Sequence, residues 1–396
     1  MYAHTSEHPI HLSFGAGGTS GANMGEGIVD ALQDAGIEAS VDIVVPTGDS
    51  GSCSGEIATL HNLPSAGDAR NVLGAVSGNA AGAAFKSDSK YGDTATVDTI
   101  KRDTDGLLEI IAGTGANMDR VHSIFTRAAE LGSDLPNGLR GYTLGGLLLT
   151  ALQLDLGSTS KAVAEASEWL RARARVIPVT DSRHDLVLWD AGKTVRGEDE
   201  IDRRDIVDPR HARLWLETEV DGPPPLATAA AIGSFTMADV VLFGHASLFT
   251  STLAITGAGG VPEAVRAQGS RENPGALAAL VNLTEDRNTT GLEVVDYLSI
   301  IQGALGRRFT HALYNREPGA VPAGKVPVRC DERDVLAMGV KPIAAKLVAA
   351  VAVQAHANDR IADLRSGVVT DMRGMVAGLK MHVLPEIAQR EFVPAS

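Results

Sequence analysis

Asp49, Asp68, Arg70 and Asn71 fall inside one glycine- and serine-rich stretch, TGDSGSCSGEIATLHNLPSAGDARN, residues 47–71. Carboxylates and a guanidinium in such a stretch suit the handling of a phosphorylated ligand. A carboxylate there would hold a metal ion, a ribose or a reacting hydroxyl, and Asp49 is the candidate for both the metal and the catalytic role. Arginine forks onto phosphate oxygens in a fixed geometry. Each residue also has a plainer reading: Asp49 completes a turn, Asp68 caps the helix that follows, and Arg70 pairs with Asp68.

Two further loops carry candidates. GAGGTSG, residues 15–21, places Gly17, Gly18, Thr19 and Ser20 between a short apolar run and a helical pattern. Glycines let backbone approach a phosphate, and the free amides of a helix start attract an anion. The sixth position of the dinucleotide fingerprint is Ser20 and no Walker lysine follows, so a structural turn stands beside the phosphate cradle. GHASLFTSTLA, residues 244–254, offers Ser247, Thr250 and Ser251 as hydroxyl donors to an anion, with solvated turn chemistry as the alternative. Asn282 takes the equivalent place after the next strand. His184, His211 and His245 show no metal-ligand spacing and read as surface or core histidines. Cys53 has no neighbouring base in sequence.

The elements that must position these loops read as alternating strands and helices. IHLSF (10–14) and ASVDIVVP (39–46) flank a helix ending at Gly36, a β-α-β opening that implies a doubly wound sheet with ligand loops at the strand carboxyl ends. Further strands are expected at RVIPVT, ADVVLFG (238–244), ALAALVNL (276–283) and THALYN (310–315), with a hairpin over 186–201 turning at Ala191-Gly192. Helices are expected through about 80–135, as an insertion, and from IAAKLVAA onward. A main domain over 1–350 and a C-terminal helical extension over 351–396 follow.

The 396 residues carry 44% hydrophobic and 21% charged side chains, enough apolar matter for a sizeable core. Net charge of −14 excludes a nucleic-acid partner, whose phosphates select basic surfaces. RARAR at 171–175 reads as a cation cluster at a helix C-terminus. No apolar run suits a membrane span, and two cysteines make no disulfide framework, so a cytoplasmic protein is expected. The last helices would serve either inside the chain or in a homo-oligomer.

Taken together, the motifs resemble the superfamily that joins the 2-phospho-L-lactate transferases (CofD) and the gluconeogenesis-factor proteins (YvcK). The gluconeogenesis-factor pattern runs GGGTG, DDGGSSG, LPPGDIRN, GNLLL, LPVTD, GPGSLYTS and GETxG. This chain has, in the same order, GAGGTSG at 15–21, GDSGSCSG at 48–55, LPSAGDARN at 63–71, LGGLLLTAL at 144–152, IPVTD at 177–181 and GHASLFTS at 244–251. DAGKTVRGEDEI at 190–201 is similar to that branch's V-x-GE-x-x-I. The chain departs at Ser50, Gly146, His245, Ala246 and Asn288. The resemblance implies an α/β fold, Rossmann-like and three-layered (α/β/α) with a mostly parallel sheet. It also implies a small-molecule nucleotide ligand, either a UDP-sugar or a guanosine nucleotide, and Mg2+ at Asp49. A nucleotide-sugar binding protein of the gluconeogenesis-factor type is the first expectation. A metal-assisted transferase moving a phospholactyl-type group to an acceptor hydroxyl is the second.

Overall fold

Strands buried on both faces are mostly apolar, which is how IHLSFG and ASVDIVV read apart from His11, Ser13, Ser40 and Asp42. In the computed structural model, which describes residues 9–86, 90–349 and 368–391, they form β1 (Ile10–Gly15) and β2 (Ala39–Val45). They pair in parallel, and α1 (Gly18–Asp34) makes the crossover. The chain continues through α2 (Ser52–His61), α3 (Gly67–Ser77) and β3 (Arg175–Pro178). The hairpin β4 (Asp185–Asp190) and β5 (Lys193–Arg196) follows, then β6 (Arg213–Glu217). Last come β7 (Val240–Gly244), β8 (Ala276–Leu280), β9 (His311–Asn315) and β10 (Lys341–Ala345).

Seven of these strands form one sheet in the order β10-β9-β8-β7-β1-β2-β3, every pair parallel. Alternation along the strands sorts their side chains into two cores. Phe14, Ile43, Val45, Leu242 and Leu280 enter one, which α1, α3 and the helices Leu144–Leu156 and Thr159–Leu170 cover. Val44, Val241, Phe243 and Leu277 enter the other, under the helices Ala229–Met237, Val261–Gly269 and Val294–Leu305. The fold is therefore the α/β, Rossmann-like three-layer arrangement that the motifs imply. The antiparallel sheet β5-β4-β6 lies against the second core through Leu186, Leu188 and Leu216.

Within the stretch expected to be helical, the helices Val97–Ala112 and Met118–Ser133 occupy most of residues 80–135. The hairpin turns where expected, with Ala191 and Gly192 at φ 48° and 83°. Two strands differ from expectation. Ile343–Ala345, read as the start of a helix, belong to β10. Buried Ile343 and Ala345 alternate with exposed Ala344, and the whole strand pairs with β9. β6 has no counterpart in the sequence reading, because RLWLE is too short to show a period by itself. Of the C-terminal extension, 351–367 and 392–396 lie outside the described residues. Helices run over Met372–Gly378 and Leu384–Glu391. Arg171 caps the helix Thr159–Leu170, whereas Arg173 and Arg175 pair with Asp30 and Asp42 on neighbouring elements.

Asp42 points from β2 into that last contact. Its carboxylate, 5% exposed, accepts from Arg175 Nε at 2.9 Å and from Arg175 Nη2, and meets His11 Nε2 at 2.9 Å. Burial works to raise its pKa, but the bonds from His11 and Arg175 outweigh burial and hold it below the ordinary 3.8. A depressed carboxylate stabilises the fold above its unfolded pKa, and that contribution is lost as pH falls through the folded value. Asp42→Asn is expected to lower stability by about 2 kcal/mol at pH 7. The deficit should close as pH falls below about 4 in urea titrations.

Candidate functional site

β1 is bordered by β2 on one side and β7 on the other, so the sheet reverses its strand order between β1 and β7. Ligands of such sheets sit at the strand carboxyl ends by this reversal. The backbones come very close there. A β-carbon on Gly15 would lie 2.5 Å from the Phe243 ring, and one on Gly244 (φ 117°) would lie 2.2 Å from the Leu280 carbonyl oxygen.

The glycine loop ends in Gly17, the residue before α1, and its amides face a carboxylate. Asp68, in the first turn of α3, caps no amide of its own helix. It accepts instead from the Gly18 backbone N–H, and its Oδ2 lies 2.7 Å from the place a Gly17 β-carbon would take. Asp49, on the loop after β2, accepts from Gly51 N–H at 3.0 Å and rests against the α-carbon of Gly67. The structure thus joins the first loop, the second loop and the start of α3. Thr19 and Ser20 open α1, and their side chains lie outside the described ones.

Arg70 is buried at 6% exposure. Its guanidinium donates to Asn71 Oδ1 at 3.0 and 3.3 Å and to Thr143 Oγ1 at 3.3 Å. Asn71 is accordingly a positioning residue for Arg70. Where the resembling pattern has asparagine, Gly146 leaves a cavity of about 20 Å³ lined by Arg70, Gly67, Ser54, Thr150 and Gln153. That is room for one water.

The third loop joins through acids that the sequence reading passed over. Glu198 and Asp202 lie on the short helix Glu198–Asp202 after β5. Thr250 Oγ1 donates to Asp202 at 2.9 Å, and Thr250 N–H donates to Ser247 Oγ at 3.2 Å. Thr250 and Ser251 are buried, and Thr250 serves Asp202 before any ligand. The Thr252 amide reaches the Ser247 carbonyl at 2.9 Å, an i+5 bond of the wide helical turn frequent at functional sites. Ser50 Oγ accepts the Asp199 amide at 3.2 Å, and Asn288 Nδ2 donates to the Ile201 and Arg204 carbonyls, holding the acidic turn at both ends. Its sequence signal was the acid run after Gly197 (φ 93°). Asn282 lines, with Tyr297 and Ala246, a cavity of about 10 Å³ to which none of the four acids contributes.

Asp49, Asp68, Glu198 and Asp202 are each half-buried, so solvent reaches them within a crowded cleft. Burial raises all four pKa values, and repulsion from neighbouring carboxylates, which for Asp202 are Asp286 and Asp199, adds to it. Asp49 rises to about 6, with the Gly51 amide and Arg70 opposing and Asp202 assisting. Asp68 rises to about 7, pushed further by Asp49. Glu198 rises well above its ordinary value under the charges of Asp49, Asp202 and Asp68. Asp202 rises too, against the bonds from Thr250 and Glu198. Among the described residues no three His, Cys, Asp or Glu side chains converge tightly enough to enclose a metal ion alone. A pair of acids that also borrows ligand oxygens and water is the way Mg2+ is ordinarily held, and Asp49 with Asp68 fits that requirement. No described helix is long and apolar enough to cross a membrane.

Comparisons with known proteins agree with this architecture. The gluconeogenesis factor of Halalkalibacterium halodurans is 27% identical over 271 residues, covering 67% of each chain. That of Bacillus subtilis is 28% identical over 218 residues, covering 54% of this chain and 53% of its own. Matches to the curated relatives first found span 35% to 67% of their length. A crystal structure of a UPF0052 family member from Bacillus halodurans superposes with a TM-score of 0.63 at 21% identity, covering 89% of this chain and 98% of that one, a likeness of fold. The family model described as 2-phospho-L-lactate transferase CofD matches residues 14–348, and the chain belongs to that family.

Proposed function

We propose that the chain binds a nucleoside diphosphate, carried as a nucleotide-sugar, in the cleft where β1, β2 and β7 end, and that it acts as a binding protein of the gluconeogenesis-factor type. The observation that carries this reading is the facing pair Asp49 and Asp68, each raised in pKa, beside a glycine loop and a buried arginine. Arg70 and Lys90 offset the crowded acids of this half-buried cleft only in part, because the pKa values of Asp49 and Asp68 stay raised. Asp49 and Asp68 would hold a divalent cation, which when bound supplies positive charge to the diphosphate. Arg70 supplies the second positive edge, fixed in place by Asn71 and Thr143.

A second reading, the transfer of a phospholactyl-type group from a nucleotide-linked donor to an acceptor hydroxyl, with the new phosphate ester formed as the donor's diphosphate bond breaks and the nucleoside monophosphate leaves, is favoured by one further observation. Glu198 and Asp202 hydrogen-bond to each other near Asp49, so the pair shares one proton and keeps one carboxylate able to accept a second. A carboxylate whose pKa is raised is a stronger base toward a hydroxyl proton than an ordinary one.

Calorimetric titration with a UDP-sugar and with GDP, with and without Mg2+, tests both. Binding should tighten with Mg2+ by about tenfold or more at pH 8. At pH 5 the gain should be small, because Asp49 and Asp68 hold protons below about 6 and 7. UDP-sugar binding that Mg2+ tightens favours the binding protein, GDP binding that requires Mg2+ favours the transferase, and binding indifferent to Mg2+ removes the cation role of Asp49 and Asp68. Absence of binding by either nucleotide at millimolar concentration ends the proposal.

A further inference from the structure

His245 is the first residue past β7 at the strand reversal. Continuing the register of Gly15 opposite Phe243 and Gly244 opposite Leu280 sets it level with Gly17 on one side and Val281 on the other. Its backbone is left-handed, at φ 51°, a region that residues with a β-carbon rarely enter. The imidazole is 7% exposed, and its Nδ1 is shielded from solvent with no hydrogen-bond partner. Buried ring nitrogens are ordinarily paired. Two unfavourable features therefore coincide on one side chain at the strand reversal, the pattern of strain held at ligand sites.

We propose that His245 turns from this enclosed position to hydrogen-bond an uncharged polar group of the nucleoside, a base edge or a ribose hydroxyl, when the nucleotide binds. The inference rests on the nucleotide reading above. Burial alone pushes the His245 pKa down to about 4, with no charged side chain contributing. A neutral ring has nothing to offer a phosphate that Arg70 does not offer better. It can donate or accept to a neutral partner, according to its tautomer. Turning outward releases the unpaired nitrogen, which gives the bound state a differential interaction of the kind a ligand-driven change requires.

The test compares wild type, His245→Gly and His245→Asn in calorimetric titrations with UDP, GDP and inorganic pyrophosphate, all with Mg2+. Glycine accepts the left-handed backbone, and asparagine accepts it while keeping a polar atom near the place of Nδ1. His245→Gly should weaken the better-bound nucleotide about tenfold and leave pyrophosphate within about twofold. His245→Asn should recover most of the loss. Equal weakening of nucleotide and pyrophosphate, or no weakening in His245→Gly, overturns the inference and leaves the nucleotide reading standing. Wild type that binds pyrophosphate but neither nucleotide overturns both.

Discussion

Asp68→Asn is expected to make the protein more heat-stable at pH 8 than the wild-type chain while abolishing its cation-dependent ligand binding. The wild-type carboxyl has its pKa raised to about 7, first by burial and then by the charge of Asp49, with the Gly18 amide and Arg70 only partly offsetting them. An unfolded chain ionises the same group near 3.8. Between those values the folded state holds the proton that the unfolded state has lost, so this group's contribution to stability falls as pH rises from about 4 to about 7 and is flat above. Asparagine keeps an oxygen for the Gly18 N–H and carries no charge. After allowance for the solvent that reaches this side chain, the gain at pH 8 should be about 1–2 kcal/mol. That corresponds to roughly 2–4 °C in Tm for a domain of this size. At pH 4 the gain should vanish. The same substitution, and Asp49→Asn beside it, should remove the Mg2+ enhancement of nucleotide binding, a loss of about tenfold or more in affinity. Stability rising while binding disappears is the mark of a group kept for function. A lower Tm for Asp68→Asn at pH 8 would make Asp68 a structural clip for the glycine loop.

How much of this was readable beforehand depends on how local each determinant is. The central sheet was legible because strands buried on both faces write continuous apolar runs: Val240–Gly244 and Ala276–Leu280 announce themselves in five residues each. β10 was missed because its alternating Ile343 and Ala345 run straight into further alanines and valines, which together look helical. Only the partner strand β9 decides the matter. At the site, Gly17, Asp49 and Ser247 lie on loops already marked by glycines and strand ends, and Asp68 and Arg70 open the helix that follows the second of these loops. Glu198 and Asp202 reach the same cleft through the antiparallel sheet, and no spacing within the chain encodes the approach of Asp199 to Ser50, 149 residues apart. His245 looked ordinary because its type was visible and its backbone angle was not. Asp68 was the nearest to a misreading. Its place at the start of a helix suggests a cap, yet its carboxylate is drawn across to the Gly18 amide.

That crossing contact gives Gly17 a structural role beside the phosphate approach proposed for it, and substitution there is expected to damage binding far more than at its neighbour. The Gly17 backbone is extended, at φ −144°, and any residue can adopt it. Space is the constraint: a β-carbon would lie 2.7 Å from Asp68 Oδ2 and from Pro46 Cδ. The proline ring at the end of β2 cannot yield, so the Asp68 carboxylate must leave the glycine loop or α3 must shift. Gly18 presents the opposite case, with φ 61° and the nearest atom, Asp68 Oδ1, at an ordinary 3.6 Å. Gly18→Ala should therefore lower stability by about 1 kcal/mol, through backbone strain alone, and alter nucleotide affinity little. Gly17→Ala should lower stability by a similar 1–2 kcal/mol, roughly the worth of the broken Gly18–Asp68 bond plus the shift. It should also weaken Mg2+-assisted nucleotide binding about tenfold or more, because the cation pair loses its geometry. A double-mutant cycle separates the causes. In an Asp68→Ala background the added methyl has lost its principal polar obstacle, so Gly17→Ala should be milder there by about 1 kcal/mol in denaturant midpoint titrations. An equal penalty in both backgrounds would place the obstruction at Pro46 and detach Asp68 from the glycine loop.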